Sequence, residues 1–312
     1  MRIIRDHTYV DDADRGASVA IGNFDGVHLG HLSVIEQARQ AGAAIGAPLG
    51  ILTFEPHPRE YFAPEAAPFR MMNREARAHR LEKLGVETLY EINFNAALAG
   101  LSPREFVGSV IRDGLGLAHV VVGADFCFGK GRAGDAEMLQ AFGAEMGFGV
   151  SIAQIVEGET GQVSSTAIRR ALSDGDPRGA AAMLGHWHRI DGPVMGGEQR
   201  GRTLGYPTAN MSIEGLHPPK FGVYAVLVDV LDGAHKGQYH GAASIGVRPM
   251  FQGEMPNIET FLFDFSGDLY DAHLSVALVE YLRPEESFDS LEAFIAQMDA
   301  DCARARAILE TP

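Results

Sequence analysis

Two histidines three residues apart, His28 and His31, sit in the segment Gly22-Asn23-Phe24-Asp25-Gly26-Val27-His28-Leu29-Gly30-His31. A short apolar run precedes it and a helical pattern follows. Gly26 and Gly30 let the backbone turn sharply and approach a ligand closely. A helix starting near Gly30 points free N–H groups, and roughly half a positive charge, at that ligand. In helical spacing the two imidazoles share a face. Imidazoles beside an anion-binding helix end suit phosphate chemistry, because they donate hydrogen bonds to phosphate oxygens as charge develops there. Other readings of the pair are a solvated or capping feature, or zinc ligation, which needs further ligands. The segment lacks Gly-x-Gly-x-x-Gly, so it is not a dinucleotide fingerprint. Gly123 to Gly129 is not a Walker A loop either, since Gly131 follows Lys130 where Ser or Thr is required.

The patterns around these residues predict the elements that hold them. Strand-like runs at 18–21, 49–54, 86–94, 119–123 and 150–156 alternate with helical stretches. Those stretches run from Gly30 to about Gly42, with Val34, Ile35 and Ala38 on one face, from 74 to 84, and from a capping box at Ser102-Pro103-Arg104-Glu105 to Gly114. Alternation of this kind argues for a parallel sheet covered on both faces, with ligands at the carboxyl ends of its strands. Two short helices are expected at 165–172 and 177–184, each after a Ser or Asp cap. Beyond about 185 come short strands at 190–195, 222–230, 237–245, 258–265 and 273–282, divided by Gly, Pro and Asp. They read as a small antiparallel barrel or sandwich, closed by a helix over 290–309. The boundary is placed near 184–188, with Gly185-His186-Trp187-His188 as linker and first strand.

Composition sets the limits. The chain has 312 residues, 46% hydrophobic and 21% charged, with 26 Lys and Arg against 41 Asp and Glu for a net charge of −15. That length suits two domains. So acidic a chain disfavours non-specific nucleic-acid binding, and no apolar run approaches the roughly 20 residues of a membrane helix. Two cysteines, Cys127 and Cys302, exclude a disulfide framework and a four-thiolate zinc site. The first residues lack a signal-peptide core, so a cytoplasmic location is expected. No partner nucleic acid or membrane is expected, and the chain is read as a monomer or weak homo-oligomer.

Taken together, the motifs resemble those of the bacterial bifunctional riboflavin kinase/FAD synthetase family, whose first module belongs to the nucleotidyltransferase superfamily. The His-x-Gly-His segment carries the superfamily likeness. Thr53-Phe54-Glu55-Pro56-His57-Pro58, Val122-Gly123-Ala124-Asp125-Phe126-Cys127-Phe128-Gly129-Lys130 and Val163-Ser164-Ser165-Thr166-Ala167-Ile168-Arg169 sharpen it. In the second half, Gly196-Gly197-Glu198-Gln199-Arg200-Gly201-Arg202-Thr203-Leu204-Gly205-Tyr206-Pro207-Thr208-Ala209-Asn210 and Asn257-Ile258-Glu259-Thr260-Phe261 resemble the riboflavin kinase signature. The match runs in order from about residue 17 to 305.

The resemblance implies a Rossmann-like α/β module over 1–185 for FMN adenylyltransfer and an antiparallel β-barrel with a terminal helix over 186–312 for riboflavin phosphorylation. It implies riboflavin, FMN, FAD and ATP as the bound partners, with Mg²⁺ as cofactor. Nucleotide would be held by Gly22, Phe24, Gly30, Gly123, Ser164, Ser165 and Thr166 in one module, and by Gly196, Arg200 and Gly205 in the other. Asp125, Phe126, Phe128 and His57 would meet flavin. Thr208 and Asn210 offer hard oxygen ligands to Mg²⁺ and, in extended backbone, point to one side. His28, His31 and Arg169 would stabilise phosphate charge, Arg169 on the leaving pyrophosphate. Glu259, read as the start of an apolar strand, falls at the family's catalytic base. Ser244 and Met250 depart from the family's Asn and Thr beside the flavin and nucleotide region of the kinase, and a lost Thr hydroxyl would weaken binding there by about 1 kcal/mol. Two rival readings follow: an adenylyltransferase with another phosphorylated acceptor, and a flavin-delivery protein with an inactive kinase module.

Overall fold

The computed structural model describes residues 1–153, 157–158, 161–196, 205–250 and 253–310. The strands of the first half are β1 (Arg2–Ile4), β2 (Ser18–Ile21), β3 (Leu49–Glu55), β4 (Thr88–Asn93), β5 (His119–Gly123), the short pair β6 (Cys127–Phe128) and β7 (Gly134–Asp135), and β8 (Gly149–Ala153). Six of them form one sheet in the order β1-β4-β3-β2-β5-β8, every pairing parallel. A parallel sheet is buried on both faces, and all four residues of β2 are buried here. Its helices are α1 (Leu29–Ile45), α2 (Pro58–Phe62), α3 (Arg74–Lys83), α4 (Ala96–Gly100), α5 (Pro103–Glu105) and α6 (Ala136–Met146). Because all six strands run the same way, the segments after β2, β3, β4 and β5 emerge along one edge.

Two local outcomes differ from the sequence expectation, and a third expectation lies partly outside the described residues. The first helix continues past Gly42 to Ile45 and stops at Gly46, which has φ 70°. Gly42 is there for packing: a Cβ would lie 2.8 Å from Ala47 O and 3.0 Å from Ser18 Cβ. After the Ser102 capping box the chain winds as a π-helix over Phe106–Gly114, with Leu115 N–H reaching back to Val110 O at 2.8 Å. Strand β8 is described only to Ala153, so residues 154–156 of the expected strand lie outside the described residues.

After the short pair β9 (Glu157–Gly158) and β10 (Gly161–Gln162) come α7 (Ser165–Asp174) and α8 (Pro177–Leu184), capped by Ser164 and Asp176. Then follow β11 (Arg189–Pro193), β12 (Ala209–Ser212), β13 (Gly222–Val230), β14 (Gly237–Met250), β15 (Gly253–Leu262) and β16 (His273–Arg283). They form an antiparallel sheet in the order β11-β16-β13-β14-β15-β12. Met195 N–H donates to Asn210 O at 2.8 Å, a bridge that joins the two end strands and closes the barrel. Met211, Val226, Val228, Ile245, Ile258 and Leu274 fill its interior. The terminal helix α9 (Leu291–Leu309) lays Ala305 and Leu309 on the outer face, over Ala225, Ala242 and Val279.

The residues group into two compact units. Met1–Ala66 with Ala78–Val163 forms the sheet unit, and Ala67–Arg77 with Ser164–Pro312 forms the barrel unit. Within the latter, Met71, Ile168, Leu172, Ala180 and Leu184 make a small core of their own.

Candidate functional site

In the sheet unit, the link from β2 to α1 is a tight and strained turn. Phe24 has φ 52°, Val27 φ 44° and Gly26 φ 83°. A buried β-branched residue with positive φ is costly, and such strain collects where chemistry needs a fixed backbone. Thr53 on β3 steadies the turn by donating to Asn23 O at 3.3 Å. His28 is the N-cap of α1: its Nδ1 accepts the His31 N–H at 3.3 Å. With Nδ1 accepting, the neutral ring carries its proton on Nε2. His31 stacks on His28, ring centroids 3.7 Å apart and 17° from parallel. The Nδ1 of His31 is buried with no hydrogen-bond partner. Burial, then the neighbouring His28, hold His31 well below the usual imidazole pKa, so it is neutral at pH 7. Gly30 leaves room for the capping ring: a Cβ would stand 3.1 Å from His28 Cε1 and push the imidazole aside by a few tenths of an ångström. A helix end, a capping imidazole and an unsatisfied ring nitrogen together make a cradle for an anion.

Along the same strand edge runs a chain of aromatic rings. Phe126 stacks on Phe128 at 5.6 Å, Phe128 meets Phe106 at 5.6 Å, and Phe106 meets Phe54 at 6.3 Å. Phe54 reaches Phe94 at 5.8 Å, and Phe94 meets Tyr61 at 5.3 Å and Phe62 at 5.7 Å. Phe62 is 68% exposed, unusual for a side chain of that size. Phe128 is buried core, and Phe126 is half-buried beside it. Tyr61, Phe62 and Phe94 were not legible in sequence. The one cue was the aromatic pair Tyr61-Phe62, set off by two residues from His57-Pro58. His57 caps α2, accepting the Arg59 N–H at 3.0 Å in a capping box with Glu60. A Cβ on Gly123 would lie 2.9 Å from Oδ1 of the exposed Asp125, whose side chain can swing aside.

The barrel unit holds the other assigned residues. Ser164 caps α7, its hydroxyl accepting the Ala167 N–H at 3.2 Å. Ser165 and Thr166 open the helix. Arg169, one turn on, donates through Nε to Phe69 O at 2.6 Å and lies over the Phe69 ring at 5.4 Å.

On the barrel itself the register brings the polar residues together. Asn210 on β12 lies directly opposite Glu259 on β15, and Glu259 directly opposite Ser244 on β14. Their neighbours Met211, Ile258 and Ile245 point inward, so these three face outward, on the side that α9 covers. Asn210 Nδ2 donates to Thr208 O at 3.3 Å. Tyr206 packs edge-on to Phe261 at 5.2 Å and donates its hydroxyl to Asp299 of α9, a bond that pushes the Tyr206 pKa up to about 12. Glu259 sits in the middle of a strand that begins at Gly253, not at a strand start. The strand pattern there was hidden because residues 246–257 lack apolar alternation. Gly196 and Gly205 flank a stretch outside the described residues, which takes in Gly197, Arg200 and Gly201; the side chain of Met250 lies outside them as well.

Comparison with known proteins gives two family matches. Residues 10–167 match the family described as FAD synthetase, and residues 184–309 the family described as riboflavin kinase. A bifunctional riboflavin kinase/FMN adenylyltransferase of Pseudomonas fluorescens is 42% identical, over 99% of this chain and 98% of that protein. Proteins of the same description from Escherichia coli K12 and Bacillus subtilis are 37% and 34% identical, each over at least 95% of both chains. A crystal structure described as a macrolide-efflux protein from Streptococcus pneumoniae superposes with a TM-score of 0.80, at 32% identity over 96% of both chains. Among the described residues of the present chain, no helix is long and apolar enough to cross a membrane.

Proposed function

The chain belongs to the bifunctional riboflavin kinase/FMN adenylyltransferase family, and from that premise we propose that it makes FAD from riboflavin in two ATP-dependent steps, with the residues assigned as follows. The observation that carries this reading is the presence, in order on one chain, of a range matching FAD synthetase and a range matching riboflavin kinase. The functional division is set at 1–185 and 186–312.

In the first step the ribityl hydroxyl of riboflavin attacks the γ-phosphorus of ATP, the bond to the β,γ-bridging oxygen breaks, and ADP leaves. Glu259 orients that hydroxyl and accepts its proton. Gly196, Arg200 and Gly205 serve the nucleotide phosphates. Thr208 and Asn210 are the residues that would hold Mg²⁺. Their neutral hard oxygens fit an ion that takes most of its ligands from phosphates and water, and Asn210 stands beside Glu259 in the register. Bound there, the ion would screen charge on the transferring phosphoryl group.

In the second step the FMN phosphate attacks the α-phosphorus of ATP in line, and pyrophosphate leaves without a covalent enzyme intermediate. The His28 Nε2–H and neutral His31 donate to phosphate oxygens at the α1 end, with Gly22, Phe24 and Gly30 shaping the turn and Gly123 serving the nucleotide from the end of the neighbouring strand β5. Ser164, Ser165 and Thr166 bring hydroxyls and helix N–H groups to nucleotide phosphate, and Arg169 neutralises pyrophosphate. The isoalloxazine stacks on the exposed end of the aromatic chain at Phe62, Tyr61 and Phe94, with His57, Asp125, Phe126 and Phe128 along the same edge. A cytoplasmic location and a monomeric or weakly associating state complete the reading. No nucleic acid or membrane partner belongs to it.

Incubating the purified chain with riboflavin, ATP and Mg²⁺, and separating flavins by chromatography, tests it. FMN should rise first and FAD follow. FAD formed only from supplied FMN would mean an inactive kinase module, and bound flavin without turnover would mean a delivery protein.

A further inference from the structure

We infer that His217, in the loop between β12 and β13 of the barrel, positions Arg169 for its work on pyrophosphate. The inference rests on the role given to Arg169 above and deepens it. Four short hydrogen bonds close a ring around that side chain. Arg169 Nε donates to Phe69 O at 2.6 Å. The next residue, Arg70, accepts the His217 backbone N–H at 2.7 Å, within a parallel bridge between Arg70 and Leu216. The His217 ring then turns back to α7, with Nε2 3.0 Å from Arg169 O and 2.9 Å from Ser173 Oγ. A carbonyl can only accept, so Nε2 carries a proton and donates to Arg169 O, while the Ser173 hydroxyl accepts a share of it. Ser173 lies one helical turn beyond Arg169. One imidazole therefore clasps a full turn of α7 while its own backbone holds the strap that fixes the Arg169 guanidinium.

The seat of α7 does not depend on this clasp. Lys220 N–H donates to Leu172 O at 2.9 Å, and Ile168 and Leu172 are buried against Met71, Ala180 and Leu184. What His217 adds is the link between the α7 backbone and the Phe69–Arg70 strap, so the Arg169 side chain and main chain move together. His217 lies inside the range that matches riboflavin kinase, 184–309, yet its contacts serve the residue assigned to adenylyl transfer. A substitution in one half should thus disturb the reaction of the other.

The test uses the full chain and the reverse reaction, in which FAD and pyrophosphate give FMN and ATP. His217→Ala should raise the KM for pyrophosphate about tenfold, the weight of roughly one hydrogen bond, and leave riboflavin phosphorylation at its normal rate. His217→Gln, which keeps an N–H donor at similar reach, should recover most of the loss. In an Arg169→Ala background, His217→Ala should add nothing, as coupled residues require. An equal cost of His217→Ala in that background would overturn the proposal. So would parallel losses in both reactions with a lowered melting temperature, or no effect at all beside a damaging Arg169→Ala. Should Arg169→Ala itself leave pyrophosphate use unchanged, the role of Arg169 falls, and the positioning role of His217 with it.

Discussion

His28 does two jobs with one ring. Its Nδ1 caps α1, which fixes the tautomer and leaves the proton on Nε2, and its face supports His31. Burial and His28 lower the His31 pKa, so in the free protein this ring stays neutral below the pH at which an exposed histidine begins to charge. Proton NMR of the chain without nucleotide should accordingly show His31 C–H resonances that do not shift between pH 8 and 6, and a midpoint near 6.5 would contradict the packing. Gly30→Ala puts a methyl 3.1 Å from His28 Cε1 and must tilt the cap. Adenylyl transfer should fall by about tenfold or more while riboflavin phosphorylation is unchanged, as paired assays of the two steps would read. The histidine pair was legible in sequence because its partners are three residues apart on one helix end. The aromatic chain was not: Tyr61, Phe62 and Phe94 meet only because β3 and β4 are parallel neighbours that end together. Nor was the Asn210–Glu259–Ser244 row, which exists only in the register of three strands.

At the scale of elements, the sequence located most strands and helices but misjudged ends, each time for a stated reason. Gly42 looked like a terminator and proved a packing glycine. The hairpin β14–β15 runs on through residues whose polarity concealed it. The edge strand β1 and the four-residue β12 carried too little pattern to be seen, whereas α6 was missed although Asp135 caps it, Ala136, Leu139 and Gly143 mark its buried face and Gly147 ends it. Among the expected elements, the His186–His188 linker has a physical consequence. His188 is buried, and burial first, then His186 and His217, lower its pKa to about 3. The unfolded chain takes up that proton near pH 6.5 and the folded chain does not. Folding is therefore favoured fully above pH 6.5, and stability drains away as pH falls toward 3. Urea unfolding of the wild type and His188→Gln at pH 7 and pH 4.5 should show a steeper acid loss for the wild type. Parallel losses would mean that His188 is not held neutral.

For the whole molecule, the net charge of −15 gives no long-range attraction for anionic substrates. Capture of phosphate must come from local devices, and each unit supplies one kind. The sheet unit has a helix end with stacked imidazoles, and in the barrel the neutral oxygens of Thr208 and Asn210 would hold Mg²⁺ against the phosphates, beside the Glu259 carboxylate that takes the proton. The central claim is that these serve two separable steps on the same flavin. Comparing His31→Ala and Glu259→Gln in riboflavin, ATP and Mg²⁺ tests it most directly. His31→Ala should accumulate FMN, with FAD formation slowed by about 10²–10³-fold. Glu259→Gln should leave riboflavin untouched yet convert supplied FMN to FAD at the normal rate, and a mixture of the two should carry riboflavin through to FAD. If each substitution stopped both steps, or if His31→Ala stopped phosphorylation alone, the account would be contradicted.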